Sequence, residues 1–400
     1  MQPLDSAAAP ARLADVTGAA EVALPAVAPP SNRRATRPAR KPPPPDTAPR
    51  VLLLATDYIT PYRVLRCAAA SGAEVYVLGN AGAWPLRWSR YCRGLIVSER
   101  IIHGERDESL ALEINCLVRE LQLDLIVPAD APCARALIAS RDLLDARCFP
   151  LPTLAQFDLL NDKWSFAQLC RALQIAHPAT QLLGDITAVR RALAVETVRL
   201  PLILKPLGRC ASSGIRVLRT RADLQQLEAI NYRPILLQQF LSGEDIGASV
   251  YAAGGAIRAF IAHRLCGGEY RTFRDDRIYA AIGRLVAELR LDGVYNFDMI
   301  RMHDGSVFYL ECNPRFFYKI DLSMLAGVNF FACGLSQTRN DAAALPAAPR
   351  MAPEGAVRFP KALLRRLLLS GHCSRRDWAL TRHLLADPVP WVMEKLGVLR

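Results

Sequence analysis

Residues 294–315, VYNFDMIRMHDGSVFYLECNPR, carry the pattern on which the interpretation of this chain is built. Two apolar runs, 294–302 and 307–312, flank a turn that is centred on Asp304 and Gly305. Runs of this length with a polar turn between them predict two antiparallel strands. Polar side chains on such a pair meet on a shared face, which makes the segment a candidate binding site.

Three polar side chains on these strands are predicted to share one ion. Glu311 and Asn313 lie on the same face because alternate side chains point the same way, and Asp298 falls roughly opposite Glu311. Two carboxylates and an amide oxygen suit Mg²⁺ beside nucleotide phosphates, with Mn²⁺ as a substitute. Pro314 ends the strand and leaves Arg315 to bind phosphate or carboxylate at two points. The alternative is an exposed hairpin with solvated charges.

Two lysines place positive charge where anions commonly bind. Lys205 ends an apolar strand and precedes the loop 208–214, in which Ser212 and Ser213 and the backbone amides suit a phosphate. Lys163 begins a predicted helix, and helix N-termini attract anions. The alternative for either lysine is a solvated surface side chain.

The predicted strand 235–241 is the next candidate for nucleotide binding. Its backbone groups suit the edge of an adenine if the strand ends at a cleft, and Glu244 or Asp245 after it suits the ribose hydroxyls. The alternative is an edge strand that leads into an acidic turn.

The first half of the chain predicts a small α/β domain. From residue 51, short apolar runs alternate with helical stretches, which is typical of a parallel sheet with crossover helices. The predicted strands are 51–57, 73–78 and 124–129, and the predicted helices are 60–71 and 108–121.

The following region predicts an α+β domain. Residues 151–173 hold two helical patterns with Asn161 and Asp162 as the cap between them. Strands then follow one another closely, which favours antiparallel pairing, and a helix is predicted over 277–291. The predicted strands of this half are 201–207, 214–219, 235–241, 246–252 and 256–263, followed by 294–302 and 307–312.

The two ends of the chain differ from its middle. Residues 1–49 are rich in Ala, Pro and Arg and predict a disordered tail, since they offer too little apolar surface to fold. An Ala- and Pro-rich linker is predicted over 336–353, and 354–400 predicts a basic helical segment. Its apolar stretch 363–369 is expected to dock on the main body, and weak contact with a membrane or a partner is the alternative.

Charge and cysteine usage exclude several classes. The net charge is +12, but the first 50 residues carry +3 and the last 50 carry +5, so the 300 residues between are nearly balanced and nucleic-acid binding is not expected. No apolar run is long enough for a transmembrane helix. Eleven cysteines without a Cys-x-x-Cys pair indicate reduced thiols and a cytoplasmic protein.

The order of these motifs resembles the ATP-grasp superfamily, in particular carboxylate–amine ligases and the ATP-grasp domains of carbamoyl phosphate synthase. The resemblance covers about 51–335. It implies an α/β pre-ATP-grasp domain at 50–150 and a two-part ATP-grasp domain at 151–335. It further implies phosphate contacts from Lys163 and Lys205, an adenine hinge, a ribose contact, a magnesium site and a phosphoryl-stabilising arginine. The resemblance implies that Gln239, Phe240 and Leu241 form the adenine hinge and that Glu244 or Asp245 contacts the ribose. It implies that Asp298, Glu311 and Asn313 hold magnesium. It also implies that Arg315 stabilises the transferring phosphoryl group or the acyl phosphate.

The resemblance implies an ATP- and magnesium-dependent ligase. A small-molecule carboxylate would attack ATP, and an amine would take the resulting acyl phosphate. The basic stretch Arg258, His263, Arg264 and Arg271 is a candidate for carboxylate recognition, and solvated charge is the favoured alternative for each of these residues singly. Two alternatives stay open, namely a phosphotransferase without an amine acceptor and an inactive nucleotide-binding regulatory protein.

Overall fold

The computed structural model describes residues 48–98, 100–208, 214–340 and 348–396. The described residues form three β-sheets, of five, four and seven strands, with helices packed against them. The first sheet is parallel, and the other two are antiparallel apart from one short parallel pair. The predicted α/β fold followed by an α+β fold is confirmed.

The parallel sheet is covered on both faces, as its apolar sequence requires. Leu52 and Leu54 pack into one apolar cluster and Val51 and Leu53 into another, because successive side chains of a strand point to opposite faces. The strands, β1 (Arg50–Ala55), β2 (Glu74–Gly79), β3 (Cys92–Val97), β4 (Leu125–Pro128) and β5 (Arg147–Cys148), lie in the order β3-β2-β1-β4-β5, with the helices α1 (Ile59–Ala70), α2 (Glu108–Glu120) and α3 (Ala131–Ala139).

The strand order reverses between β1 and β4, so the carboxyl ends of these strands border a crevice. The crevice is held by Asp130, whose Oδ2 accepts hydrogen bonds from the Thr56 amide (2.6 Å) and the Thr56 hydroxyl (2.9 Å). The other oxygen of Asp130 accepts from the Cys133 amide and so caps α3. These bonds fix the start of the loop that carries Asp57.

Two capped helices connect the parallel sheet to the rest of the chain. They are α4 (Leu154–Asn161) and α5 (Lys163–Ala172). The Asp162 carboxylate accepts from the Ser165 amide at 2.8 Å and caps α5. The cap predicted for both Asn161 and Asp162 is therefore made by Asp162, and Asn161 is the last residue of α4. The cap places Lys163 at the first position of α5.

The four-stranded sheet presents one face to its own core and the other to the site. One face of this sheet packs with the helix α6 (Ile186–Ala194) through Leu202, Leu204, Ile235 and Leu237. Lys205 follows Leu204 on the same strand, so its side chain points away from this core. The strands, β6 (Thr180–Leu183), β7 (Leu202–Pro206), β8 (Arg216–Leu218) and β9 (Ile235–Gln239), lie in the order β6-β9-β7-β8.

Apolar clusters cover both faces of the largest sheet. Phe297 and its neighbours on one face pack with the helix α7 (Asp276–Glu288), while Tyr251 and Val294 on the other face join the cluster that also covers β1. The strands are β10 (Glu244–Ala253), β11 (Ala256–Cys266), β12 (Glu269–Phe273), β13 (Gly293–Arg301), β14 (Val307–Asn313), β15 (Arg350–Met351) and β16 (Gly355–Arg358), in the order β14-β13-β10-β11-β12-β16 with β15 beside β11.

The C-terminal part returns to the parallel sheet. The helices α8 (Ile320–Leu325) and α9 (Phe330–Asn340) pack against α1, and α10 (Pro360–Ser370), α11 (Ala379–Ala386) and α12 (Pro388–Lys395) follow. The predicted linker over 336–353 differs from the structure, because 336–340 complete α9 and β15 pairs with β11. Residues 341–347 and the predicted tail up to residue 47 lie outside the described residues. None of the described helices has the length and apolarity needed to cross a membrane.

Candidate functional site

The site is built on β13 and β14. The two strands pair antiparallel with Asp298 opposite Glu311 and Asn296 opposite Asn313. Directly opposed residues share a face of the sheet, so these four side chains lie together. The structure thus brings together Asp298, Glu311 and Asn313, the three predicted metal ligands, and it adds Asn296, which the sequence interpretation missed.

Asp298 is at the centre of this group. Its two oxygens accept hydrogen bonds from the side-chain amides of Asn296 and Asn313, each at 3.2 Å. The Asn296 oxygen in turn accepts from the Ser249 hydroxyl at 2.8 Å. Three neighbouring strands therefore orient one carboxylate.

The two carboxylates have opposite pKa shifts. Burial raises the pKa of Asp298 to about 6, and the adjacent negative charge of Glu311 adds to the effect. Burial also acts to raise the pKa of Glu311, but the ammonium groups of Lys163 and Lys205 outweigh it and hold that pKa below its usual value. A further cation beside Asp298 would therefore stabilise the charged form of its carboxylate and lower its pKa.

Both predicted phosphate lysines reach this group from different elements. The Lys163 ammonium, at the start of α5, lies 3.4 Å from a Glu311 oxygen. Lys205 on β7 is buried and donates to the Gln238 side chain at 2.8 Å. Burial lowers the pKa of Lys205, Glu311 opposes that shift and the charge of Lys163 adds to it. The lysines and carboxylates thus form a single electrostatic cluster.

The oxygen ligands fit a hard divalent cation. Asp298 and Glu311 supply two adjacent carboxylates, and burial makes the charged form of Asp298 costly unless a cation lies beside it. Across the described ranges, no group of three or more His, Cys, Asp or Glu side chains is arranged to hold a metal ion. An ion at this position would therefore meet the two carboxylates, while the Asn313 oxygen accepts from Arg315 and the Asn296 oxygen accepts from Ser249.

Arg315 extends the cluster toward the parallel sheet. Its guanidinium donates to the Asn313 side chain at 2.8 Å and to the Phe316 carbonyl at 3.1 Å, and its buried Nε has no hydrogen-bond partner among the described residues. Burial and the charge of Asp130 raise the pKa of Asp57 at the end of β1, whereas Arg315 acts to lower it. Arg315 is thus close enough to connect the strand pair with the crevice between β1 and β4.

The predicted hinge lies at the end of β9. The amides of Gln239 and Phe240 donate to the Ala179 carbonyl (2.8 Å) and the Pro201 carbonyl (3.2 Å). Leu241 is half-buried, and the Phe240 ring lies beneath the Arg219 guanidinium, 4.4 Å from the ring centre. Two of the three predicted hinge amides are therefore committed to the chain itself.

The predicted ribose contacts separate onto two faces. Gly247 lies opposite Asp298, so Asp245 shares the site face and Glu244 points to the other face. Glu244 is bound there to Arg264 at 2.6 Å. Of the two candidates, Asp245 is therefore the one on the face of Asp298. Ser212 and Ser213, the predicted phosphate-covering serines, lie outside the described residues.

The basic stretch predicted to bind carboxylate does not lie together. Arg264 and Arg271 are cross-strand partners on the face away from Asp298 and bind Glu244 and Glu269, respectively. Arg258 lies at the irregular part of β11. Within this stretch His263 alone is on the site face, opposite Gly247. The prediction of a joint carboxylate site is therefore wrong, because alternation separates these side chains.

His263 and Lys319 are two site residues with roles that the sequence interpretation did not foresee. His263 is 1% exposed and stacks on Tyr270, and burial together with the charge of Lys319 lowers its pKa to about 3. Lys319 also acts to lower the pKa of Asp298. In the sequence, Lys319 could have been found as a second cation four residues after Arg315.

Comparison with known proteins agrees with this geometry. Residues 231–355 match the family model described as ATP-grasp in the biosynthetic pathway with Ter operon. No curated protein matches the chain significantly.

Solved structures match over most of the chain. They include N5-carboxyaminoimidazole synthetase from Staphylococcus aureus (13% identity, TM-score 0.59, 83% of this chain and 87% of that one) and N5-carboxyaminoimidazole ribonucleotide synthetase from Thermus thermophilus (17%, 0.56, 76% and 81%). A third is L-amino acid ligase from Bacillus licheniformis (13%, 0.53, 73% and 74%). The family match falls on the strands that carry Asp298 and Glu311, and the wider likeness is one of fold. Residues 231–355 are thus similar to an ATP-grasp family, and the chain as a whole shares its fold with these solved structures.

Proposed function

We propose that the chain is an ATP- and magnesium-dependent ligase that joins a small-molecule carboxylate to an amine. The observation that carries this proposal is the cluster of Lys163, Lys205, Asp298 and Glu311, which come from both antiparallel sheets and a helix N-terminus. Such a cluster suits a triphosphate with its metal ion. The similar proteins include a ligase and synthetases, some of them solved with ADP, which supports this reaction class.

Each residue has a role in the proposed reaction. Lys163 and Lys205 bind the phosphates, and Asp298, Glu311 and Asn313 would hold a divalent cation, which would neutralise phosphate charge. Arg315 orients the transferred phosphoryl group. Asp245 and the end of β9 bind the ribose and the adenine.

The proposed chemistry has two steps. A carboxylate oxygen attacks the γ-phosphorus and ADP leaves, which produces an acyl phosphate. The amine nitrogen then attacks the acyl carbon, phosphate leaves and the amine loses a proton. We propose that Arg315 and Lys319 hold the carboxylate, since the charge of Arg315 acts on Asp57 at the crevice and the charge of Lys319 acts on Asp298.

Replacing Glu311 tests the site. Glu311→Gln keeps the size of the side chain and removes the charge that faces Lys163, so release of ADP with a carboxylate, an amine and Mg²⁺ should fall by about 100-fold or more. The substrates are first found by mass spectrometry of products from pooled acids and amines. Glu120→Gln, at an exposed position of α2, is the matched control and should keep full activity. Normal turnover by Glu311→Gln contradicts the site.

Hydroxylamine separates the ligase from the alternative phosphotransferase. A reaction that passes through an acyl phosphate yields a hydroxamate with hydroxylamine and no amine present, whereas a phosphotransferase yields a stable phosphorylated product. ATP binding without turnover across the whole panel supports the regulatory protein instead.

We also propose a cytoplasmic location. The ten cysteines of the described residues are all unpaired, and four of them, Cys67, Cys133, Cys170 and Cys312, are buried. Free thiols in this number are typical of a reducing compartment.

A further inference from the structure

The helix α10 exposes most of its apolar side chains. Of its eleven residues only Leu363 is buried, whereas Leu364 is 56% exposed, Leu368 77% and Leu369 76%. Its ends are set locally, since Pro360 occupies the first turn and Gly371 closes the last one in the left-handed conformation. The helix is thus held to the body by one leucine and keeps the rest of its apolar surface in solvent.

Basic side chains lie in a row beside the exposed leucines of α10. Leu364 and Leu368 are four apart and form one row, and the neighbouring row contains Lys361 and Arg365, also four apart and exposed. From residue 360 to 376 the sequence has five Lys or Arg and no Asp or Glu. Arg366 lies 3.8 Å from Asp377, whose negative charge compensates it. Arg366 is on the side of the helix away from Leu364, so this compensation does not concern the basic side chains beside the leucines.

We propose that α10 is a membrane-binding element that inserts Leu364, Leu368 and Leu369 into an anionic lipid surface. A row of exposed leucines beside a row of basic side chains is the arrangement that binds lipid headgroups and inserts below them. A second copy fits less well, because α10 helices facing one another would oppose Lys361 and Arg365 of like charge. Standard protein interfaces also use about 20–30 residues from each partner, far more than this helix offers.

Sedimentation with lipid vesicles tests the proposal on the full chain. Vesicles of phosphatidylcholine with about one third phosphatidylserine should bind the protein, whereas phosphatidylcholine alone should not, and the binding should weaken with salt. The variant L364Q/L368Q keeps good helix propensity and should bind at least tenfold more weakly. Leu112→Gln, which alters a leucine on α2 that is 64% exposed, is the matched control and should bind normally.

Charge reversal and oligomeric state complete the test. K361E/R365E should abolish the preference for anionic vesicles, while circular dichroism and thermal unfolding show that both double variants are folded. Binding that L364Q/L368Q leaves unchanged overturns the proposal, because the basic N-terminal region would then be responsible. A dimer in solution that L364Q/L368Q dissociates also overturns it. These outcomes are independent of ATP turnover, so they are distinguishable from a failure of the proposed ligase activity.

Discussion

Gly247 leaves space for the His263 ring on the site face of the large sheet. A Cβ at position 247 would lie 2.7 and 2.8 Å from two atoms of that ring, closer than real contacts. Because His263 is buried against Tyr270, the ring has little room to move. Position 247, opposite Asp298, therefore requires glycine because of packing and not because of backbone conformation.

Gly247→Ala should destabilise the protein by about 1–3 kcal/mol, the usual cost of overpacking. Urea unfolding measures the change. Gly184→Ala is the control, since a Cβ at Gly184 meets nothing within 4 Å, and it should leave the free energy of unfolding nearly unchanged. Equal losses in the two variants would refute the packing explanation.

His263 should make the protein less stable in mild acid. The folded state keeps the ring neutral down to about pH 3, whereas the unfolded chain protonates it near 6.5. The unfolded state therefore binds more protons within this window, and the free energy of unfolding falls as the pH falls from 6.5 toward 3. His263→Gln should remove about 1.4 kcal/mol per pH unit from this slope. His303→Gln, in an exposed turn, should keep the slope.

At the scale of elements, the start of α5 carries a phosphate-binding residue of the proposed site. The Asp162 side chain caps the helix through the Ser165 amide, and Lys163 follows it directly. The position of the Lys163 ammonium beside Glu311 therefore depends on this helix turn.

Asp162→Ala should cost about 1 kcal/mol of stability and raise the KM for ATP several-fold, because the first turn of α5 loses its cap. Asp162→Asn supplies an equivalent cap and should restore both quantities, as measured by urea unfolding and by steady-state kinetics. If Asn behaves as Ala does, the carboxylate charge acts directly and not through the helix turn.

Over the whole molecule, Asp387 attaches the C-terminal helices to the parallel-sheet region. Its carboxylate accepts from the Ser89 hydroxyl at 2.6 Å and the Arg90 amide at 3.0 Å, and its carbonyl accepts from the Tyr62 hydroxyl. Asp387 is 2% exposed, so these bonds are shielded from water. The segment that carries α10 is thus fixed to the same body as the site.

Asp387→Ala should lower stability by about 3 kcal/mol, since it leaves buried donors unpaired. Limited proteolysis should then cut the C-terminal segment at least tenfold faster. Asp142→Ala removes an exposed ion pair with Arg106, which solvent screens, and should leave the cleavage rate unchanged. Faster cleavage in both variants would show that Asp387 has no special role.

The sequence by itself determined the main elements and their periodicity, because apolar alternation and helix caps are local properties. Strands predicted over 51–57 and 307–312 correspond to β1 and β14, whereas the pairing of Asp298 with Glu311 depends on an irregularity between Asp298 and Met299 that the hairpin length does not give. Short strands such as β5 and β15 have two residues each and too little pattern to predict.

Only the tertiary structure decided which distant residues join the site. Arg271 lies on the face away from His263 because β12 pairs with β11 so that Arg271 is opposite Arg264, a register that only the folded sheet fixes. Lys319 and Asp57 reach the cluster because the chain after β14 folds back onto the parallel sheet. The physical reason is that electrostatic and packing contacts act through space, while sequence patterns report only neighbours along one element.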